Sequence, residues 1–319
     1  MQIDVFNGDA DGLCALLQLR LANPMKSQLV TGLKRDIQLL EDVRVQQGDQ
    51  VTVLDISFDK NRASVERLLD QGASIFYIDH HQPGEPLEHK QLRTIIDTDA
   101  NTCTSLLVND YLEGKYRAWA VTAAFGDNLI ESAEQAAYPL SLSDNQLQQL
   151  KTLGTCINYN GYGTSLADLH FAPDLLYQEM QSYESPFDFM ADNVEIYEKL
   201  LAGYSDDMVN AEQVTPEYQT DKIAVYLLPD EIWSRRVSGV FSNMLANNNP
   251  DIAHAVVSSN SQKGYQISVR APLDNKTGAD ELCASFPGGG GRKAAAGINH
   301  IDIDQLPAFI SAFEKQYPL

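Results

Sequence analysis

Residues 74–81, Ser-Ile-Phe-Tyr-Ile-Asp-His-His, join a short apolar run to three titratable side chains. The run at 75–78 is aromatic and β-branched and is flanked by glycine and proline, which predicts a buried strand. Asp79, His80 and His81 would be costly to bury without partners, so we expect them at the carboxyl end of this strand. In an open α/β sheet, that end is where ligands bind.

The composition is that of a globular protein with room for two domains. The chain has 319 residues, of which 44% are hydrophobic and 21% charged. We expect neither a signal peptide nor a membrane anchor, because no basic segment precedes an apolar one and no apolar run is long enough to span a bilayer. The four cysteines form no CxxC pair, which favours free thiols in a reducing cytoplasm.

The formal net charge is −21. Proteins that hold long nucleic acids through phosphate contacts normally have a basic surface, so we do not expect long duplex DNA as a partner. Clustered carboxylates also bind hard divalent cations, and part of the acidity is therefore expected in a metal site.

Other segments also deliver acids to strand ends. A predicted strand at 3–6 leads into Asn-Gly-Asp-Ala-Asp-Gly at 7–12 and a helix to about residue 21, and a strand at 51–54 ends in Asp55. An apolar helix at 118–125 precedes Gly-Asp-Asn at 126–128. The recurrence of strand, acid and helix predicts a parallel sheet with crossover helices. Taken alone, Asp9 and Asp11 are equally explained as turn formers and helix caps.

Carboxylates with one or two imidazoles suit Mn²⁺ or Mg²⁺, whereas thiolate-rich zinc chemistry has no ligands here. A carboxylate between two cations can bridge them and hold a water molecule with a lowered pKa. Such sites serve in-line attack on phosphorus. We therefore expect two ions at this edge of the sheet.

The order and spacing of the motifs DADG, Asp55, IDHH and GDN resemble the DHH phosphoesterase superfamily over roughly the first 180 residues. The resemblance implies that Asp9 and Asp55 hold one metal and that a second set with Asp55 in common holds the other: Asp11, Asp55, His80 and Asp127. It places Asp79 behind the ligands, which it orients, or in weak coordination to the metal, and it places His81 at the scissile phosphate.

The first motif departs from the family pattern. Relatives often have an additional histidine or aspartate upstream, where this chain has Val5 and Asn7. A neutral amide oxygen binds a cation less strongly than a carboxylate. We therefore expect the first metal position to be weaker, or to be filled only when substrate phosphate arrives.

The carboxy-terminal part predicts strands at 223–228, 252–258 and 265–270 and a helix at 234–247. Residues 288–297 then read Gly-Gly-Gly-Gly-Arg-Lys-Ala-Ala-Ala-Gly. We interpret the glycines as a backbone nest for an anion ahead of an alanine-rich helix, with a flexible linker as the alternative.

The glycine segment resembles the motif of the DHH-associated domain of the first subfamily, DHHA1, which grips phosphate or the terminal nucleotide. Relatives usually have a histidine where this chain has Arg292, and a permanent cation retains phosphate binding while losing proton transfer. The predicted phosphate contacts from this part are Gly289, Gly290, Gly291, Arg292 and Arg270.

We expect two α/β domains facing across a cleft: a metal-binding DHH domain with helices on both faces of its sheet (1–190), a helical linker (191–216) and a smaller DHHA1 domain (217–319). The predicted activity is hydrolysis of phosphate esters by metal-activated water. Its expected catalytic residues are Asp55, Asp79, His80 and His81.

The expected substrates are short oligonucleotides, dinucleotides or nucleotides, with a homodimer as one assembly to test. Two alternatives stay open. One is a pyrophosphatase or polyphosphatase. The other is a nucleotide-sensing regulatory protein with weakened catalysis, suggested by Val5, Asn7 and Arg292.

Overall fold

The computed structural model describes residues 1–318. It divides into two compact units, one formed by residues 1–161 and 170–201 and the other by residues 162–169 and 202–319. The domain boundaries given above stay a prediction. Across residues 1–318, every helix is too short or too polar to cross a membrane.

The first unit contains a five-stranded parallel sheet in the order β2-β1-β3-β4-β5. Its strands are β1 (Gln2–Phe6), β2 (Gln28–Val30), β3 (Gln50–Leu54), β4 (Ser74–Asp79) and β5 (Leu92–Ile96). In this register Phe6 lies beside Leu54, and Leu54 beside Ile78. The loops that follow β1, β3 and β4 therefore leave the sheet side by side.

The helices of this unit connect and cover the strands. They are α1 (Ala10–Ala22), α2 (Phe58–Asp70), α3 (Thr104–Tyr111), α4 (Arg117–Gly126), α5 (Ile130–Ala137), α6 (Asp144–Asn160), α7 (Pro173–Met180) and α8 (Pro186–Asp192). Helix α9 (Val194–Ala211) begins in the first unit, and its residues from 202 onward belong to the second.

The two faces of the sheet are packed differently. On one face, alternate strand residues such as Val5, Val53 and Tyr77 form an apolar core with Val65 and Leu68 of α2. On the opposite face, the buried Asp4 of β1 pairs with Arg20 of α1. Successive residues of β1 point to opposite faces of the sheet, so Asp4 and Val5 lie in different surroundings. The predicted helices on both faces are confirmed.

The second unit contains a six-stranded mixed sheet in the order β10-β11-β9-β8-β7-β6, in which β7 and β8 are the parallel pair. Its strands are β6 (Tyr218–Gln219), β7 (Ile223–Leu227), β8 (Ala253–Ser259), β9 (Tyr265–Arg270), β10 (Gly289–Gly291) and β11 (Ala295–Ile301). Its helices are α10 (Ile232–Asn248), α11 (Ala279–Ala284) and α12 (Leu306–Gln316). The predicted α/β class is thus confirmed.

The glycine segment differs from the sequence prediction. Residues 289–291 are an edge strand, and the alanine-rich segment after them is strand β11 instead of a helix. The glycines permit close approach: a Cβ on Gly289 would lie 1.9 Å from the carbonyl oxygen of Cys283, and one on Gly291 would lie 2.5 Å from Cα of Ala296. The expected helix was therefore wrong, because cross-strand pairing outweighs the helix propensity of alanine.

Candidate active site

Four aspartates reach one edge of the first sheet by different local routes. Asp9 follows β1 and caps α1, accepting hydrogen bonds through Oδ1 from the backbone N–H groups of Asp11 and Gly12. Asp55 follows β3 with a φ of 57°, in the left-handed region that non-glycine residues rarely occupy. Asp127 follows α4. Strained backbone at Asp55 is typical of functional sites, where the surrounding structure holds it in place.

Asp11 lies on α1 and is fully buried. Its carboxylate accepts hydrogen bonds from the backbone N–H groups of Thr104 at 2.8 Å and Ser105 at 2.7 Å, which are the first residues of α3. The amino end of a helix favours negative charge, so α3 holds the Asp11 carboxylate in one orientation.

His80 has a defined tautomer. Its Nδ1 lies 3.0 Å from the carbonyl oxygen of Thr102, which only accepts, so Nδ1 carries the proton. The other ring nitrogen, Nε2, lies 3.3 Å from Oδ1 of Asp55, 3.8 Å from Oδ2 of Asp11 and 3.9 Å from Oδ2 of Asp127. In the neutral ring, this nitrogen presents a lone pair to three carboxylates, as a metal-ligating histidine does.

The carboxylates of Asp9, Asp11, Asp55 and Asp127 lie close together, and their negative charges repel one another. Burial, followed by the charges of Asp127 and Asp9, raises the pKa of Asp11 to about 6. Burial and the neighbouring carboxylates raise the pKa of Asp55 well above its usual range, and Lys34 opposes that rise. If Asp11, Asp55 and their neighbouring aspartates are all ionised, a positive charge must lie among them to offset the repulsion.

Asp79 and His81 form a second pair beside the cluster. Asp79 is buried and accepts hydrogen bonds from Nδ1 of His81 at 2.6 Å, the backbone N–H of His80 at 2.9 Å and that of Phe58 at 3.3 Å. Burial raises the pKa of Asp79, but its contacts with His81 and His80 outweigh burial and bring the pKa below the usual value. Asp79 therefore orients His81, whose side chain is 32% exposed.

These donors fit a divalent cation. The groups able to offer ligand atoms within 4.8 Å of one another are Asp11, His80 and Asp127 in one set and Asp55, His80 and His81 in the other. Carboxylate oxygens with imidazole nitrogen are the ligands that Mn²⁺ accepts, and a cation there would relieve the repulsion that raises the pKa values of Asp11 and Asp55. Asp9 is a member of neither set.

Lys34 is a site residue that the sequence reasoning missed. Its Nζ forms an ion pair with Oδ2 of Asp9 and lies 3.2 Å from Oδ1 of Asp127 and 3.0 Å from Oδ1 of Asn158. The residue lies in the loop after β2, a three-residue strand. Recognition of that strand in the sequence would have placed Lys34 at the carboxyl edge of the sheet.

Apart from His81, the predicted phosphate contacts lie in the second unit. Arg270 ends β9 and donates from Nε to Asn243 at 2.6 Å and from Nη1 to the carbonyl of Val269 at 3.0 Å, so its guanidinium is held by protein groups. Gly289, Gly290 and Gly291 form β10, and the half-buried Arg292 lies at the turn into β11.

The order of elements in the first unit and the acid and histidine residues at its strand ends agree with the DHH-type domain that the sequence motifs predicted. The second unit adds the feature that specifies the subfamily, since residues 220–317 match the family model of the DHHA1 domain. The predicted resemblance to subfamily 1 of the DHH superfamily is confirmed at the level of the fold and of this domain.

Solved structures of known proteins have the same fold. A manganese-bound exonuclease RecJ is 17% identical, with a TM-score of 0.59 and coverage of 99% of this chain and 91% of that one. RecJ from Thermus thermophilus with Mn²⁺ is 16% identical with a TM-score of 0.61, and 52% of that chain is covered.

A third structure is a pGpG-specific phosphodiesterase, PggH, from Vibrio cholerae. It is 14% identical, with a TM-score of 0.54 and coverage of 99% of this chain and 98% of that one. A comparison with curated protein sequences gave no match.

Proposed function

We propose that this protein is a divalent-metal-dependent phosphoesterase that hydrolyses short oligonucleotides, dinucleotides or nucleotides. The observation that carries the proposal is the arrangement around His80: its Nε2, which carries a lone pair in the neutral ring, lies 3.3–3.9 Å from carboxylate oxygens of Asp11, Asp55 and Asp127. Such a set of donors is suited to Mn²⁺ or Mg²⁺ and has no evident use in a core.

Each residue has a separate task in this proposal. Asp11, Asp55, His80 and Asp127 hold the cation, and the bound cation supplies an activated water and charge stabilisation at phosphorus. The amino end of α3 holds the carboxylate of Asp11, and Thr102 fixes the tautomer of His80. His81, oriented through Nδ1 by Asp79, directs its other ring nitrogen away from that carboxylate, and in the imidazolium form this nitrogen donates a hydrogen bond to a phosphate oxygen.

The substrate is proposed to be short. A net charge of −21 disfavours a long polyanion, and the DHHA1 domain offers Arg292 to a terminal phosphate. PggH, which has the same fold, is described as specific for pGpG, and RecJ is described as an exonuclease. Both descriptions concern cleavage of nucleotide chains, and we therefore propose a dinucleotide or the end of a short strand as the substrate of this protein.

The test is phosphate release or chain shortening across a ladder of substrates with Mn²⁺, with Mg²⁺ and with chelator. The ladder comprises a nucleoside monophosphate, a dinucleotide and single strands of increasing length, in RNA and DNA series. We expect metal-dependent turnover that is fastest on the shortest oligonucleotides.

Asp55→Asn is the inactive reference, and Asp70→Asn, an exposed acid at the end of α2, is its matched control. Turnover that is unaffected by chelator, or retained in Asp55→Asn, would overturn the proposed chemistry. Tight nucleotide binding without turnover of any substrate would favour a regulatory protein instead.

A further inference from the structure

We propose that the ammonium group of Lys34 is a built-in cation that occupies the place of one of the two metal ions expected at this site, so that the protein works with a single divalent ion. The inference rests on the proposed function, since it concerns the same site. It starts from the three oxygens around Lys34 Nζ, which belong to Asp9, Asp127 and Asn158.

The contacts of Lys34 Nζ suit an ammonium group. A protonated lysine has three N–H donors and no acceptor, and three side-chain oxygens from three different elements converge on Nζ. Two of these oxygens belong to the carboxylates of Asp9 and Asp127, whose side chains are almost fully buried. The side chain of Lys34 itself is 22% exposed, so the contact is partly desolvated and more than a surface ion pair.

Both oxygens of the Asp9 carboxylate are engaged by protein groups. Its Oδ1 accepts the two backbone hydrogen bonds that cap α1, and its Oδ2 accepts from Lys34. Accordingly, Asp9 belongs to neither of the two sets of close ligand atoms in residues 1–318, although Asp11, Asp55, Asp127 and His80 do. The carboxylate that the family resemblance assigns to a first metal is thus engaged by this chain's own cation.

The loop of Lys34 is fixed by the surrounding backbone. The N–H of Lys34 donates to the carbonyl of Gly161 at 2.9 Å, and its carbonyl accepts from Nδ2 of Asn7 at 3.1 Å. The loop also passes close to Gly8, where a Cβ would lie 1.9 Å from the carbonyl oxygen of Gly32. These contacts position Lys34 before any ligand arrives, which is how a fixed charge becomes effective.

Residue 7 is consistent with this assignment. Asn7 uses its amide N–H to hold the Lys34 carbonyl, and a carboxylate at this position could not make that bond. An aspartate at residue 7 together with a neutral residue at 34 would make the site more negative by two charges, which is the charge of one divalent cation. Asn7 and Lys34 therefore belong together as a substitute for that ion.

The test is the number of metal ions bound, measured without substrate or turnover. Chelator-treated full-length protein is dialysed against a series of Mn²⁺ concentrations, and protein and metal are quantified on both sides. Electron paramagnetic resonance then distinguishes isolated Mn²⁺ from an exchange-coupled pair. We expect about one Mn²⁺ per wild-type chain with an uncoupled spectrum, and about two with a coupled spectrum for Lys34→Met, which frees Asp9.

Two variants serve as controls. Lys34→Arg keeps the charge and should keep the single ion, and Lys60→Met removes an exposed lysine of α2 and should bind metal as the wild type does. Circular dichroism melts confirm that each variant is folded.

Two ions in the wild-type protein would overturn the inference while leaving the proposed function intact, and this result needs no variant. A single ion in folded Lys34→Met would show that Lys34 does not exclude the second and would also overturn it. A wild-type chain that binds no Mn²⁺ would overturn the proposed function as well.

Discussion

Asp79 Oδ1 and His81 Nδ1 are joined by a 2.6 Å hydrogen bond at the end of β4. The carboxylate is buried and the imidazole is partly exposed, so the acid fixes a ring that a ligand can reach. The same carboxylate receives the backbone N–H of the intervening His80. One aspartate thereby aligns the two histidines that follow it, with His80 directed toward the carboxylates and His81 partly exposed beside them.

Asp79→Asn should lower kcat by about 10–100-fold, because residues that orient a catalytic histidine typically contribute that much. Mn²⁺ binding should persist, since Asp79 is not among the close ligand atoms. The measurement is steady-state kinetics together with metal content. Exposed Asp70→Asn is the matched control, and loss of bound Mn²⁺ in Asp79→Asn would place Asp79 among the ligands instead.

Asp55→Ala should abolish turnover, with a loss beyond the roughly 100-fold upper range for residues that only support a ligand. Asp55 is the acid closest to His80 Nε2, and it also accepts from the hydroxyl of Thr104 at 3.3 Å. Single-turnover assays at saturating Mn²⁺ check the prediction. An active Asp55→Ala enzyme would contradict its assignment as a ligand.

The metal-free protein should lose stability as the pH rises from about 4 to about 6. Asp11 has a pKa raised from 3.8 to about 6, so the folded state binds more protons than the unfolded chain in this window. The free energy of unfolding therefore falls with increasing pH there, by an amount of order 3 kcal/mol for this group. Burial and the neighbouring carboxylates also raise the pKa of Asp55, so its ionisation adds to the loss.

Denaturant unfolding of chelated protein at several pH values measures this dependence, and Asp11→Asn should flatten it. Because the carboxylates must be ionised to bind metal, Mn²⁺ should stabilise the protein more at pH 7.5 than at pH 5. Equal stabilisation by Mn²⁺ at both values would contradict the assignment of Asp11 as a ligand.

Arg292→Ala should raise KM for a short oligonucleotide with little change in kcat, since a contact with a distant phosphate is made in both ground and transition states. Lys315→Ala, which removes a cation from the last turn of α12, is the control for net charge. A fall in kcat at unchanged KM would instead place Arg292 at the transition state.

Arg236→Met should destabilise the second unit by about 3–5 kcal/mol, the usual cost of leaving a buried charge unpaired. Arg236 donates to Asp207 at 2.6 and 3.0 Å and to the carbonyl of Asp168 at 3.1 Å. Thermal unfolding checks the prediction, and the double variant Arg236→Met/Asp207→Leu, which removes both charges, should recover much of the loss.

The local sequence pattern was sufficient to predict the strands that lead to the acids of the site. The apolar runs before Asp9, Asp55 and Asp79 are strands because alternate residues bury on the two faces of a parallel sheet, and the acids come at the carboxyl ends of these strands. Helix α10 and strands β7, β8 and β9 also lie close to their predicted bounds. Three residues were too few to mark β2 by periodicity, so its loop and Lys34 could not be predicted.

The sequence by itself determined which acids and histidines reach the carboxyl edge of the sheet, because strand periodicity and glycine-bounded turns are local properties. Tertiary structure alone decided the tautomer of His80, set by the carbonyl of Thr102, and the pairing of Lys34 with Asp9 and Asp127. It also made the glycine segment an edge strand, through its pairing with β11. Contacts between residues far apart in the chain depend on packing, and no short-range pattern specifies them.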